Sequence, residues 1–303
     1  MDQVDLIEAF RRDLRLQRKT ETTVSHYSDW VRRFADFIGS NLLEVTRDDL
    51  KNYLDYLRNT QKMREASIKF VFASLSSFYT FLVDESMIAA NPVPAFRRKY
   101  LRSYKNESTS RSRQLISVDQ ARMLVNSILD VKDKTLIVLL FKTGARRHEL
   151  SDLDVEDVDV DELTITLKET PKRSNRILFI DEETANLLKL WVAYRAKRVK
   201  NGETALFISQ YGVRLSGTAI KVIVEKHAAR VGLHNPNSTR LEDQFTPHCC
   251  RHWNATHLSR SGMSRDFLKE LRGDARSEAV DRYNHIDREA LKESYLAHIP
   301  QLL

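Results

Sequence analysis

Through the first 95 positions, apolar residues recur at the three-and-four spacing that lays them along one side of a helix. Leu6, Ile7, Phe10, Leu14 and Leu16 mark a first stripe. Thr22 or Thr23 can cap a second helix, in which Val24, Tyr27, Trp30, Val31, Phe34 and Phe37 recur until Gly39. Asp48 and Asp49 open a third, turning Leu50, Tyr53, Leu54 and Leu57 inward. A fourth runs from Ala66 to Val83 through Ile68, Val71, Phe72, Leu75, Phe78, Tyr79 and Leu82, and Asn91-Pro92 stops it. Residues 1–95 therefore read as a four-helix bundle with an aromatic core.

The pattern breaks over 96–114. Arg97, Arg98, Lys99, Arg102, Lys105, Arg111 and Arg113 face one acid, Glu107, among serines and threonines. That composition describes a flexible basic linker, able to track a phosphate backbone. A second domain, 115–303, opens with a capping box from Ser117 and Gln120. A helix through Thr135–Phe141 ends at Gly144. Then comes the one clear β signal: Val158, Leu163, Ile165 and Leu167, a polar ETPKRSN, and Ile177 and Phe179, which together make a hairpin. Helices follow over 183–197 and 218–231. A last one, 288–302, carries Leu291, Tyr295, Ile299 and Leu302 as a stripe that must bury against this chain or a neighbour. The fold class is mainly α with a small β-hairpin: a helical N-terminal domain ahead of a mixed α+β domain.

Composition narrows the partners. A chain of 303 residues, 42% apolar and 30% charged, can bury two cores. Its net charge of +7 favours a polyanion and argues against adaptation to saturating internal salt. Eight glycines and six prolines suit a mostly helical chain. The two cysteines, Cys249 and Cys250, are adjacent and give neither a disulfide framework nor a CxxC metal pair, as fits a reducing cytoplasm. The opening MDQVDLIEAFRRDLR is too charged for a signal peptide, and no apolar run approaches the roughly 18 residues of a membrane span. The expectation is a cytoplasmic, nucleoid-associated protein without a membrane partner.

Candidate chemistry concentrates in TPHCCRHWNATHLSRSGMSRDFLKELRGDARSEAVDRYNH, residues 246–285. His248 and Arg251, three apart, share one face of a helix. Tyr283 stands 32 residues past Arg251, and upstream TGARRHEL presents Arg146 just after Gly144. Singly, each has an ordinary explanation: a surface arginine, a satisfied core histidine, a packed aromatic. Together they suit attack on a phosphodiester, with arginines clamping non-bridging oxygens, a histidine assisting and a phenolic oxygen as nucleophile.

In that order the groups resemble the tyrosine recombinase (phage-type integrase) family, which includes the Xer recombinases. The matching boxes are Thr143 to Leu150 (TGARRHEL), His248 to Thr256 (HCCRHWNAT), and Leu271 to Asp274 (LRGD), with Tyr283 nine residues beyond Asp274. The resemblance implies a site-specific DNA recombinase, an integrase or Xer-type resolver, with a 3′-phosphotyrosine intermediate and no cofactor or metal. It makes Tyr283 the nucleophile, Arg146 and Arg251 the phosphate clamp, and His248 a general base or hydrogen-bond donor. A hairpin lysine is the general acid, Lys172 before Lys168, and Glu149 supports. Asp274 stands where the family usually has histidine or tryptophan. An ionised aspartate cannot donate to a phosphate, which leaves three readings. Asp274 is protonated within the closed site, it turns away to pair with Arg272, Arg276 or a catalytic arginine, or the enzyme is inactive; the arginines flanking it in LRGDAR favour the second. The N-terminal bundle becomes a DNA-gripping domain, with Lys19, Lys62, Arg64, Lys69, Arg97 and Arg98 as phosphate contacts. The implied assembly is monomeric in solution and a homotetramer on double-stranded DNA, joined by the last helix as an exchange element. A type IB topoisomerase-like enzyme and a catalytically impaired DNA-binding relative are the alternatives.

Overall fold

The structure, a computed structural model, describes residues 3–39, 41–102, 114–168, 176–200, 202–238, 240–273 and 286–303. The chain divides into two compact units, Met1–Thr109 and Ser110–Leu303.

The first unit contains α1 (Gln3–Leu16), α2 (Glu21–Ile38), α3 (Arg47–Asp55), a π-turn (Tyr56–Thr60), α4 (Glu65–Asp84) and α5 (Val93–Tyr100). Thr20, not Thr22 or Thr23, caps α2: its hydroxyl accepts from the Thr23 N–H at 3.3 Å. Thr46 and Asp49 form a capping box on α3. In α1, Leu6, Ile7, Phe10 and Leu14 are buried, but Leu16 is exposed, because two positions beyond Leu14 is more than half a turn round the helix.

Two expectations need correction here. Residues 96–100 are helix, not linker: Phe96 is buried and stacks on Phe72 with ring centroids 5.3 Å apart, and Leu101 joins the same core. Two apolar anchors, Val93 and Phe96, suffice to dock α5 on α4 despite the run of cations after them. The remainder of the expected linker, 103–113, lies outside the described residues. In addition, α4 is long and apolar enough to cross a membrane by length and composition. Its Ile68, Val71, Phe72, Leu75, Phe78, Tyr79 and Leu82 are instead taken up by packing in the bundle core, against α1, α2 and α5 among others.

The second unit begins with α6 (Val118–Asn126), capped by the expected Ser117–Gln120 box, followed by α7 (Val131–Thr143) and α8 (Arg147–Asp152). Strands β1 (Val158–Asp159), β2 (Thr164–Leu167) and β3 (Arg176–Phe179) pair antiparallel in that order, with Ile165 opposite Leu178 and Leu167 opposite Arg176. Then come α9 (Glu182–Ala196), α10 (Gly217–Arg230), α11 (Pro247–Arg260), α12 (Arg265–Arg272) and α13 (Arg288–His298). The main core surrounds α7, in which every residue from Leu136 to Phe141 is buried. A smaller cluster joins Phe179, Leu258, Met263 and Leu271 to Leu291, Tyr295 and Ile299. The α13 stripe thus buries against its own chain. The tail is fastened too: the Lys142 ammonium, wholly buried, donates to Asp181 at 2.5 Å and to the Pro300 carbonyl at 2.7 Å and pairs with Glu183, whose carboxylate accepts from the N–H groups of Leu302 and Leu303.

Candidate active site

The TGARRHEL box forms a sharp corner. Helix α7 ends at Gly144 in the left-handed region (φ +59°), and a Cβ there would stand 2.8 Å from Asn254 Oδ1. Glycine is needed both for the turn and for the close approach of α11. Arg146 then caps α8. Its backbone N–H donates to Glu149 Oε2 at 2.7 Å and its Nη1 to Oε1 at 3.0 Å. Glu149 also takes a bidentate pair from Arg176 at the head of β3, Nη1 to Oε1 at 3.1 Å and Nη2 to Oε2 at 3.0 Å. One carboxylate therefore holds two guanidinium groups.

Helix α11 carries the second box. Pro247 occupies its first turn, where a missing N–H costs nothing. His248 is exposed and Arg251 buried. Arg251 Nη1 donates to the Gly144 carbonyl at 2.7 Å and Nη2 to the Arg272 carbonyl at 2.6 Å, tying the ends of α7 and α12 to α11. One turn on, Asn254 Nδ2 donates to the carbonyls of Phe141 and Lys142 at 2.8 and 2.7 Å. These bonds to backbone, all well within hydrogen-bond range, fix the arginine's place before any ligand arrives.

The sequence-predicted Arg146, His248 and Arg251 line one cleft of about 430 Å³. Arg147, His148 and Lys221 line it as well, and none of the three was foreseen. Lys221 on α10 carries no local motif, while Arg147 and His148 lie inside the box that identified their neighbour. His252 does not line the cleft; its Nδ1 meets the Thr256 hydroxyl at 3.2 Å. Lys168, the alternative general acid, is engaged elsewhere: it donates to Asp154 and lies 3.7 Å from Asp157, and the bond to Asp154 raises its pKa. Burial acts to raise the Asp154 carboxyl, but hydrogen bonds from Lys168, Arg214 and Thr204 outweigh it and hold the carboxyl well below the usual range. Lys172, Asp274 and Tyr283 lie outside the described residues. Arg176 was missed altogether, since its partner is 27 residues away. Both cysteines are buried, and burial pushes the Cys250 thiol well up. Among the described residues, no cluster of three or more His, Cys, Asp or Glu is placed to hold a metal ion.

The candidate phosphate contacts of the first unit are distributed over several elements. Lys19, Lys62, Arg64 and Arg98 are exposed, Lys69 and Arg97 half-buried. Arg97 and Arg98 sit on the last turn of α5 rather than in a linker.

A cleft walled by arginines, two histidines and a lysine, at the junction of three helix ends, is suited by its charge to an anionic, phosphate-like group. Residues 113–290 match the phage integrase family, and residues 6–88 match the phage integrase N-terminal SAM-like domain. The chain belongs to the phage integrase family and is a site-specific DNA recombinase of the tyrosine type. It is 30% identical over 233 residues to tyrosine recombinase XerC of Thermodesulfovibrio yellowstonii, covering 74% of this chain and 72% of that one. With XerC of Pelotomaculum thermopropionicum it shares 28% over 316 residues, 97% of this chain and 98% of the other. Its fold is shared with a lambda integrase dimer bound to a COC′ core site, at TM-score 0.70 and 17% identity over 95% of this chain and all of that one (100%).

Proposed function

We propose that this chain cuts and rejoins duplex DNA through a covalent link to Tyr283. The phenolic oxygen attacks the scissile phosphorus, forming a 3′-phosphotyrosine as the bond to the 5′-oxygen breaks. Arg146 and Arg251 stabilise the negative charge that builds on the non-bridging oxygens, an effect magnified where water is excluded. His248 takes the tyrosine proton or donates to a non-bridging oxygen, and Lys172 gives a proton to the departing 5′-oxygen. The phosphotyrosine retains the energy of the bond it replaces, so a 5′-hydroxyl from another strand reverses the step without a nucleotide. Asp274 pairs with a nearby arginine and orients it. The first unit grips the DNA through Lys19, Lys62, Arg64, Lys69, Arg97 and Arg98, and four copies assemble on paired sites from monomers free in the cytoplasm.

The observation that carries this reading is the convergence of Arg146, Arg251 and His248, distant in sequence, on one cleft. The test is a half-site duplex nicked close to the cleavage point, which traps the covalent adduct as a band of reduced mobility. The unmodified chain should form the adduct on its own site. Tyr283→Phe should abolish it while leaving DNA affinity within about threefold, a phenolic oxygen being dispensable for phosphate contacts elsewhere. An adduct that survives Tyr283→Phe moves the nucleophile elsewhere. Binding without an adduct by the unmodified chain leaves a DNA-binding relative instead.

A further inference from the structure

The pairing of Glu149 with Arg176 lies behind the cleft rather than in it. The Arg176 side chain is 8% exposed against 32% for Arg146, and only Arg146 lines the cleft. Arg146, Glu149 and Arg176 together carry two positive charges and one negative. Without Arg176, the carboxylate would lose a bidentate cation and draw more strongly on Arg146, so that the guanidinium facing the cleft would be neutralised further by its own support. With Arg176 in place, Glu149 is satisfied from behind and still fixes Arg146 by two bonds, at 2.7 and 3.0 Å. The charge of Arg146 remains available to a phosphate.

Arg176 is constrained on a second side. Gly273, which closes α12 at φ +57°, packs so tightly that a Cβ there would come within 2.5 Å of Arg176 Nη1. The preceding carbonyl, that of Arg272, accepts from Arg251. The guanidinium also has a buried Nε with no hydrogen-bond partner among the described residues, a cost that a purely stabilising pair would not be expected to carry. One buried side chain thus touches the supports of both cleft arginines, Glu149 for Arg146 and the α12 corner for Arg251.

We infer that Arg176 is a positioning residue for strand cleavage, acting through Glu149 to keep Arg146 aimed at the scissile phosphate with its charge uncancelled. The inference rests on the covalent reaction proposed above. A displacement of about 1 Å at a reacting group can cost on the order of a hundredfold in rate.

The experiment measures single-turnover adduct formation on the nicked half-site with the full chain, for Arg176→Met and Arg176→Lys. Arg176→Lys keeps a cation against Glu149, so it carries the test if Arg176→Met does not fold. The expected result is a rate lowered on the order of ten- to a hundredfold with DNA affinity nearly unchanged. The thermal midpoint falls in Arg176→Met, which removes the bidentate cation from Glu149, and stays close to that of the unmodified chain in Arg176→Lys. A second substrate replaces a non-bridging oxygen of the scissile phosphate by methyl, removing the charge that Arg146 meets. There the gap between variant and unmodified chain should close to within about threefold. Equal losses on both substrates, or no loss on the charged one, would overturn the inference. Failure of the unmodified chain to form any adduct would instead strike at the proposed reaction.

Discussion

Lys142 offers a stringent test of how the catalytic unit is held together. Its side chain is wholly inaccessible, and it lies two residues before Gly144, the corner that presents Arg146. The ammonium meets Asp181, Glu183 and the Pro300 carbonyl, while its own backbone carbonyl accepts from Asn254 and from the Tyr295 hydroxyl at 3.1 Å. Lys142→Met keeps the volume of the stem but leaves two carboxylates of low exposure, 7% and 12%, without their cation. Removing one partner from a buried ion pair costs about 3–5 kcal/mol. In a unit of this size, each kcal/mol moves the midpoint by about 2–4 °C, so a fall of roughly 6–20 °C is expected. Trp191 and Trp253 are both buried in the second unit, and Trp30 alone belongs to the first. In a Trp30→Phe background, tryptophan emission therefore follows the catalytic unit by itself. Adding Asp181→Asn and Glu183→Gln should recover at least half of the loss. The asparagine can still cap α9, as Asp181 does by accepting from the Thr184 N–H at 3.2 Å, and no unpaired charge remains. A change below about 0.5 kcal/mol in Lys142→Met, the level of an ordinary surface substitution, would refute the argument. So would a triple variant no more stable than the single one.

Two further outcomes follow from the site. Gly144→Ala should cost about 1–2 kcal/mol from the left-handed backbone alone, and more from the contact with Asn254; a urea midpoint equal to that of the unmodified chain would count against it. It should also slow cleavage, since the Gly144 carbonyl holds Arg251. Asp154 has a depressed folded-state pKa, so its contribution is present above its unfolded value of about 3.9 and is lost as pH falls toward the folded one. The stability gap between the unmodified chain and Asp154→Asn should therefore be full at neutral pH and shrink below about pH 4. Urea titrations in which the gap stays undiminished well below about pH 4 would exclude the assignment.

Much of this architecture could be read from periodicity alone. The stripes of α1 to α4, the Ser117 box, the Gly144 stop and the hairpin each leave a local signature, because hydrogen bonding and burial within one element repeat at its own period. The cleft was legible for a related reason: Arg146 and Arg251 stand beside a glycine corner and on a helix face, so their neighbours in sequence announce them. What the sequence hid depends on contacts between distant segments. Phe96 looked like part of a basic stretch because the cations around it outnumber the two apolar anchors of α5. Nothing local marks Lys142, because its carboxylates lie some forty residues on (Asp181 is 39 away). Arg176 is hidden in the same way, its partner Glu149 lying 27 residues back. Periodicity also could not decide whether α13 packs at home, since the same stripe would fit a neighbour. Because its Leu291, Tyr295 and Ile299 belong to one buried cluster with Phe179 and Leu258, removing α13 would alter the core as well as any assembly.

The buried cysteines have a practical consequence. Sulfhydryl reagents attack the exposed thiolate, and this chain presents neither exposure nor, at Cys250, an easily ionised thiol. A cysteine placed at a solvent-facing position such as Leu16 would be the site at which a maleimide dye reacts in the native fold, with both natural cysteines left in place. Single-molecule fluorescence of the protein arriving on and leaving its DNA could thus be recorded without disturbing the helix that carries His248 and Arg251.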